Sequence, residues 1–151
     1  MRTLARPGDL ADLLRRLQTV RPDNAARWGR MSAHQMICHL GDAMLMAADQ
    51  KTANPVSSPL HRTIVKWIAL YLPLHWPPGI RTVAEIDQEI GGTKPEDFVS
   101  DLCALQTRLR RFAEEQQAMC PAHPIFGPMS RKAWLRWAYL HTDHHLRQFG
   151  A

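Results

Sequence analysis

Three histidines carry the most legible chemistry of this 151-residue chain. His141 and His145 stand four residues apart in HTDHH, and His39 stands far upstream in HLGD. Residues four apart on a helix share a face, with Cβ atoms about 6 Å apart, so two imidazoles spaced this way can close on one ion. His39, between Met36 and Ala43 on the inward side of its own helix, supplies the third ligand that such a pair needs. Neutral imidazole is the commonest protein ligand for zinc and also suits nickel and copper. Three such ligands leave a coordination position for water or substrate, the arrangement of a catalytic rather than a structural site. An ion there would lower the pKa of water or of a thiol. The metalloprotease pattern HExxH is not met, because Thr142 occupies the position of its glutamate base. Beside the metal reading stands a plainer one, in which His141 and His145 are hydrogen-bonded histidines of a core stripe.

The neighbours of these histidines divide the same way. Asp42 lies one turn after His39, and Asp143 and Gln148 flank the other pair, so each is a candidate to orient an imidazole through its second nitrogen; the alternative is a solvated polar residue. His144 points about 100° away from both of its partners and is expected beside the site or at the surface. His123, in HPIFG, reads as a fourth ligand, a pocket residue or a loop cap. Trp76, in LHWPPG, is expected to pack over the end of the helices, with a lid over the site as the alternative. Trp134, Trp137, Met36, Met44 and Met46 read as core.

Helices must hold these residues. Asp9 is expected to cap a first helix with Leu10, Leu13, Leu14 and Leu17 at helical spacing, ending before Pro22. A second begins at Ser32, where Gln35 completes a capping box, and runs through Met36, Leu40, Ala43, Met44 and Ala47 into the polar AADQKTANPVSSP stretch. Leu60, Ile64, Trp67, Ile68 and Tyr71 form a third stripe, broken by PLHWPPG. Residues 79–94 read as irregular chain with one short helical turn and a bend at the paired glycines. Pro95 is expected to open a fourth helix, with Glu96 and Asp97 near its positive end and a stripe of Phe98, Leu102, Leu105, Leu109 and Phe112. The last helix starts at Ser130 and carries Trp134, Ala138, His141, His145 and Phe149 on one face. Without repeats or alternating β-branched runs, the expectation is an all-α four-helix bundle with an extra short helix or irregular connection, a single domain over residues 1–151.

Composition restricts the function classes. Apolar residues make up 45% and charged residues 22%, the proportions of an ordinary globular protein. The first residues lack the apolar stretch of a signal peptide, and the longest uncharged apolar run, Trp67 to Trp76, is too short to span a membrane. The three cysteines, Cys38, Cys103 and Cys120, form neither a CxxC pair nor a disulfide framework, so the cytoplasm is the expected compartment and no membrane partner is expected. Cys38 stands out because it directly precedes His39. The net charge of +5 invites a nucleic-acid reading. Its arginines are scattered among acidic residues without aromatic interleaving, so nucleic acid is not an expected partner.

MSAHQMICHLGDAM together with WLRWAYLHTDHHLRQFG resembles the DinB-like superfamily, also called the YfiT-like metal-dependent hydrolases. In that group a helix-two histidine joins an HxxxH pair on the last helix. RWGRMSAHQMICHL, KPEDFVSDL, HPIFGPMS and HHLRQF look like a DinB-related bacterial group of unknown function, over about Trp28 to Phe149. The resemblance implies a four-helix bundle with His39, His141 and His145 on the ligand positions and nickel or zinc as the metal. It also implies a low-molecular-weight thiol such as bacillithiol or mycothiol as a cofactor, a small-molecule substrate, and pairing as a homodimer. The function expected from residues and resemblance together is a metal-dependent S-transferase or hydrolase that activates a thiol or water toward a small electrophile. The alternative is a non-catalytic metal- or small-ligand-binding bundle.

Overall fold

A computed structural model describes residues 1–56, 58–80, 82–114 and 118–151. Helix dominates it: α1 (Pro7–Leu17), α2 (Ala33–Ala47), α3 (Lys66–Tyr71), α4 (Phe98–Glu114) and α5 (Arg131–Gln148). A π-helical turn, His61–Val65, leads into α3, and a single 3-10 turn, Ala84–Ile86, lies in the segment before α4. The mostly helical expectation is met. A two-stranded antiparallel hairpin, β1 (Ala122–His123) and β2 (Gly127–Pro128), adds the only sheet among the described residues. It was not expected, because strands of two residues are too short to show an alternating pattern. No helix among the described residues is long and apolar enough to cross a membrane.

The helix ends explain themselves locally. Ser32 accepts from the Gln35 amide while the Gln35 side chain accepts from the Ser32 amide, so both halves of the expected capping box are present. The Ser130 hydroxyl accepts from the Ala133 amide at the start of α5, and Gly150, at φ 79°, closes its other end in the left-handed conformation that glycine adopts without penalty. Two starts differ from expectation. Arg6, not Asp9, precedes α1, and the Asp9 carboxylate instead accepts from the Thr3 amide, tying down the chain ahead of the helix. Helix α4 begins at Phe98 rather than Pro95, because the Asp97 carboxylate accepts from the Ser100 amide and thereby makes Asp97 the cap.

Helix α2 packs on α4 and α5, and α1 packs on the same two helices. Their shared core contains Leu13 and Leu17, Met36 and Leu40, Leu105 and Leu109, and Trp134 and Ala138, all fully buried. Each such leucine contributes roughly 1.5–3 kcal/mol by leaving water. The third stripe behaves differently from expectation: Leu60, Ile64 and Trp67 are 55%, 57% and 57% exposed, and only Leu70 of α3 is buried. The stripe survives across the π turn, with Ile68 also 40% exposed, but it faces outward and α3 turns the side carrying Leu70 to the core.

Local backbone hydrogen bonds fold the segment before α4 on itself. Gly91 N–H donates to the Ala84 carbonyl and Gly92 N–H to the Asp87 carbonyl, closing the expected bend. A Cβ on Gly92 would lie 2.7 Å from the Asp87 carbonyl carbon, so only glycine lets the chain fold back this tightly. This bend holds the Ile86 carbonyl in front of α2.

Candidate metal centre

Helix α5 sends His141 and His145, one turn apart, toward His39 on α2. The Nε2 atoms of His39 and His145 each lie 3.2 Å from Nε2 of His141. All three rings are buried, with 2%, 9% and 8% exposure for His39, His141 and His145. Hydrogen bonds on the far side of two rings fix their protonation. His39 Nδ1 lies 2.7 Å from the Ile86 carbonyl, which can only accept, so the ring donates from Nδ1 and leaves Nε2 bare. His145 Nδ1 lies 2.8 Å from Gln148 Oε1, and Gln148 Nε2 donates to the Trp28 carbonyl at 2.7 Å, which fixes which end of the amide faces the ring. His145 therefore also turns a bare Nε2 inward.

His141 stands between two lone pairs. One hydrogen on its Nε2 can serve only one of them fully, and its Nδ1 is buried without a hydrogen-bond partner. A divalent ion removes the conflict, since imidazole nitrogens held about 2.0–2.1 Å from one tetrahedral ion lie roughly 3.3 Å apart. The residues thus fit a bound metal. Burial pushes His141 and His145 well below the ordinary histidine value, and so does the repulsion that protonating one imidazole of the cluster would meet from another. Burial also lowers His39, opposed by its bond to the Ile86 carbonyl and by Asp42. Neutral imidazoles are the form that ligates metals.

Aromatic rings wall the cluster. Trp137 stacks on His141 at 4.8 Å, and Trp76 lies 6.1 Å from both His141 and His144. The Trp76 indole N–H donates to the Ala69 carbonyl, which folds the LHWPPG segment back along α3 and lays the ring beside the histidines. Trp134, Met36, Met44 and Met46 are buried core residues.

The remaining candidates have definite places. Gln148 holds His145 as described. The Asp42 carboxylate, 1% exposed, accepts from Gln88 Nε2, from the Thr93 amide and hydroxyl, and pairs with Lys51 at 2.9 Å. It acts on His39 by anchoring the bend that carries Ile86. Asp143 pairs with Arg16 at 2.7 Å and Arg147 at 3.0 Å, joining α5 to α1 rather than orienting an imidazole. His144 packs its ring on Trp28 and His145, with a buried Nδ1 lacking a partner. His123 is a loop cap: its Nδ1 accepts from the Ile125 and Phe126 amides, its ring stacks on Phe126 and meets Trp137 edge-on, and burial pushes it down to about 3. Sequence reasoning missed the Ile86 and Trp28 carbonyls, which carry no side-chain signature. It also missed that Cys38 lies with His34 and Asp101, where burial and then the Asp101 carboxylate push its thiol up to about 12.

A mostly helical protein with three buried imidazoles converging between its second and last long helices is the class that this fold and site define. The chain belongs to the family described as Protein of unknown function (DUF1569), whose model matches residues 5–151. No curated protein and no solved structure matches it.

Proposed function

We propose that His39, His141 and His145 hold one divalent ion, nickel or zinc, within a DinB-like four-helix bundle formed by α1, α2, α4 and α5. On this reading the protein is an enzyme acting on a small electrophilic substrate. The observation that carries the proposal is the convergence of three Nε2 atoms, two of them bared by hydrogen bonds on the opposite ring nitrogen. A metal bound there supplies Lewis acidity that makes a water or a low-molecular-weight thiol nucleophilic near neutral pH. The chain does the positioning: the Ile86 carbonyl and Gln148 aim the rings, and Trp76 and Trp137 keep bulk water from them. Thr142, where a metalloprotease has its glutamate, is fully buried and donates to the Ala138 carbonyl, so it is no general base. That favours thiol transfer over peptide hydrolysis. A closed, non-catalytic metal site is the second reading, and the burial of all three rings favours it.

Metal content by elemental mass spectrometry decides the first point, on protein purified without a histidine tag. One equivalent of nickel or zinc is expected at this cluster, so His39→Ala and His141→Ala should each hold one equivalent fewer than the native chain, with helical content retained. Protein that stays metal-free after incubation with either salt overturns the proposal. Cobalt substitution then separates the two readings: an added thiol shifts the spectrum of an open site and leaves a closed one unchanged.

A further inference from the structure

On another face of α2 the same four-residue spacing recurs, in His34 and Cys38, and the first turn of α4 brings Asp101 against them. His34 Nε2 lies 2.7 Å from Asp101 Oδ2, and Cys38 Sγ lies 3.6 Å from the same oxygen. The three donor atoms all fall within 4.8 Å of one another. Cys38 and His39 are consecutive on α2, about 100° apart around its axis, so this cluster faces α4 while His39 faces α5. The histidine cluster does not use any of these three residues.

We propose that His34, Cys38 and Asp101 form a second divalent-metal site, selective for zinc. Nitrogen, sulfur and carboxylate oxygen are the donor set of zinc, and donors about 2.0–2.3 Å from one tetrahedral ion stand roughly 3.3–3.7 Å apart. The cluster needs only small adjustments to reach that spacing. The Cys38 thiol and the His34 ring nitrogen both meet one Asp101 oxygen, which also accepts from the Glu96 amide at 3.4 Å. On binding, the thiol releases its proton to solvent and His34 gives up any hydrogen on Nε2, keeping one on Nδ1; no electrons are transferred. Thiolate and carboxylate then neutralise the dication, which matters because the Arg108 guanidinium lies against Gly41, close along the same helix. The Phe98 ring meets His34 edge-on at 5.3 Å and holds the imidazole in place. His34 and Asp101 are only half-buried, with side-chain exposures of 19% and 27%, so solvent can deliver the ion and complete its coordination.

Titration of the metal-free full chain with cobalt(II), followed by absorption, tests this directly. A thiolate-to-cobalt charge-transfer band should grow to saturation as this site takes up its single ion, and excess zinc should bleach it. The band should persist in His141→Ala, which lacks the histidine cluster, and vanish in Cys38→Ser, which should bind one equivalent fewer than the native chain. His34→Ala, at the exposed side of the site, should weaken cobalt at least tenfold, and it serves as the second test should Cys38→Ser not fold by circular dichroism. Three outcomes overturn the proposal: no band in the native chain, a band surviving in Cys38→Ser through Cys103 or Cys120, or a band lost in His141→Ala.

Discussion

Gln148 controls His145 only because its own amide is held from the other end. The Trp28 carbonyl takes the Nε2 hydrogen, leaving Oε1 as the sole face that the imidazole can meet. In Gln148→Leu the Trp28 carbonyl and His145 Nδ1 both lose a partner, which costs about 1–3 kcal/mol each where the group stays dry. The released ring can flip, and metal affinity should fall about 10–100-fold. Gln148→Glu keeps an acceptor for Nδ1 and loses the donor to Trp28, so it should retain most of the affinity and still lose stability. Chelator competition and urea denaturation read the two effects separately; equal affinity in Leu and Glu variants would show that residue 148 does not set the ring. HHLRQ made this bond legible, since His145 and Gln148 are three apart on a helix. The equivalent bond on His39 was not legible, because it ends on a backbone carbonyl that the Asp42-anchored bend brings from a distant part of the chain.

At the scale of elements, the strongly periodic helices and the bend before α4 could be read, and the two-residue strands could not. The capping box at Ser32 and the Leu105–Leu109–Phe112 stripe follow from local rules, and both stand in the structure as read. The stripe from Leu60 to Tyr71 misled, because hydrophobic spacing records which residues share a face and not whether another element covers that face. Its consequence can be measured. Ile64, 57% exposed, should be replaceable by Ala at a cost below about 0.5 kcal/mol, whereas Leu70→Ala on the same segment should cost about 2–5 kcal/mol. Matching losses in the two variants, by denaturant midpoint at constant slope, would mean that the Leu60–Trp67 face is covered in solution.

For the molecule as a whole, the buried histidines make acid the sensitive direction. Burial lowers His39, His123, His141, His144 and His145 from the ordinary value of 6.5, His123 down to about 3. Between those two values the unfolded chain holds a proton that the native His123 refuses, so the unfolded state binds more protons and stability falls as pH falls. One such group costs about 1.4 kcal/mol per pH unit, or about 2 kcal/mol from pH 6.5 to 5. Carboxylates act mainly below that window: Asp12, Asp97 and Asp101 are lowered from 3.8 and Glu85 from 4.5, so most of their contribution disappears at more acid pH. With several histidines acting together, metal-free protein should lose several kcal/mol over this interval, a large share of the roughly 5–15 kcal/mol that holds a typical domain folded. His123→Asn keeps an acceptor for the Ile125 and Phe126 amides, so it should flatten the pH slope by one histidine's worth while remaining folded at pH 7. Zinc or nickel at saturating concentration should move the whole acid transition downward, because protons must then displace the ion before they reach His39, His141 and His145. A stability that stays level from pH 7 to pH 5 in the metal-free chain would falsify the picture of neutral, water-excluded imidazoles on which the site rests.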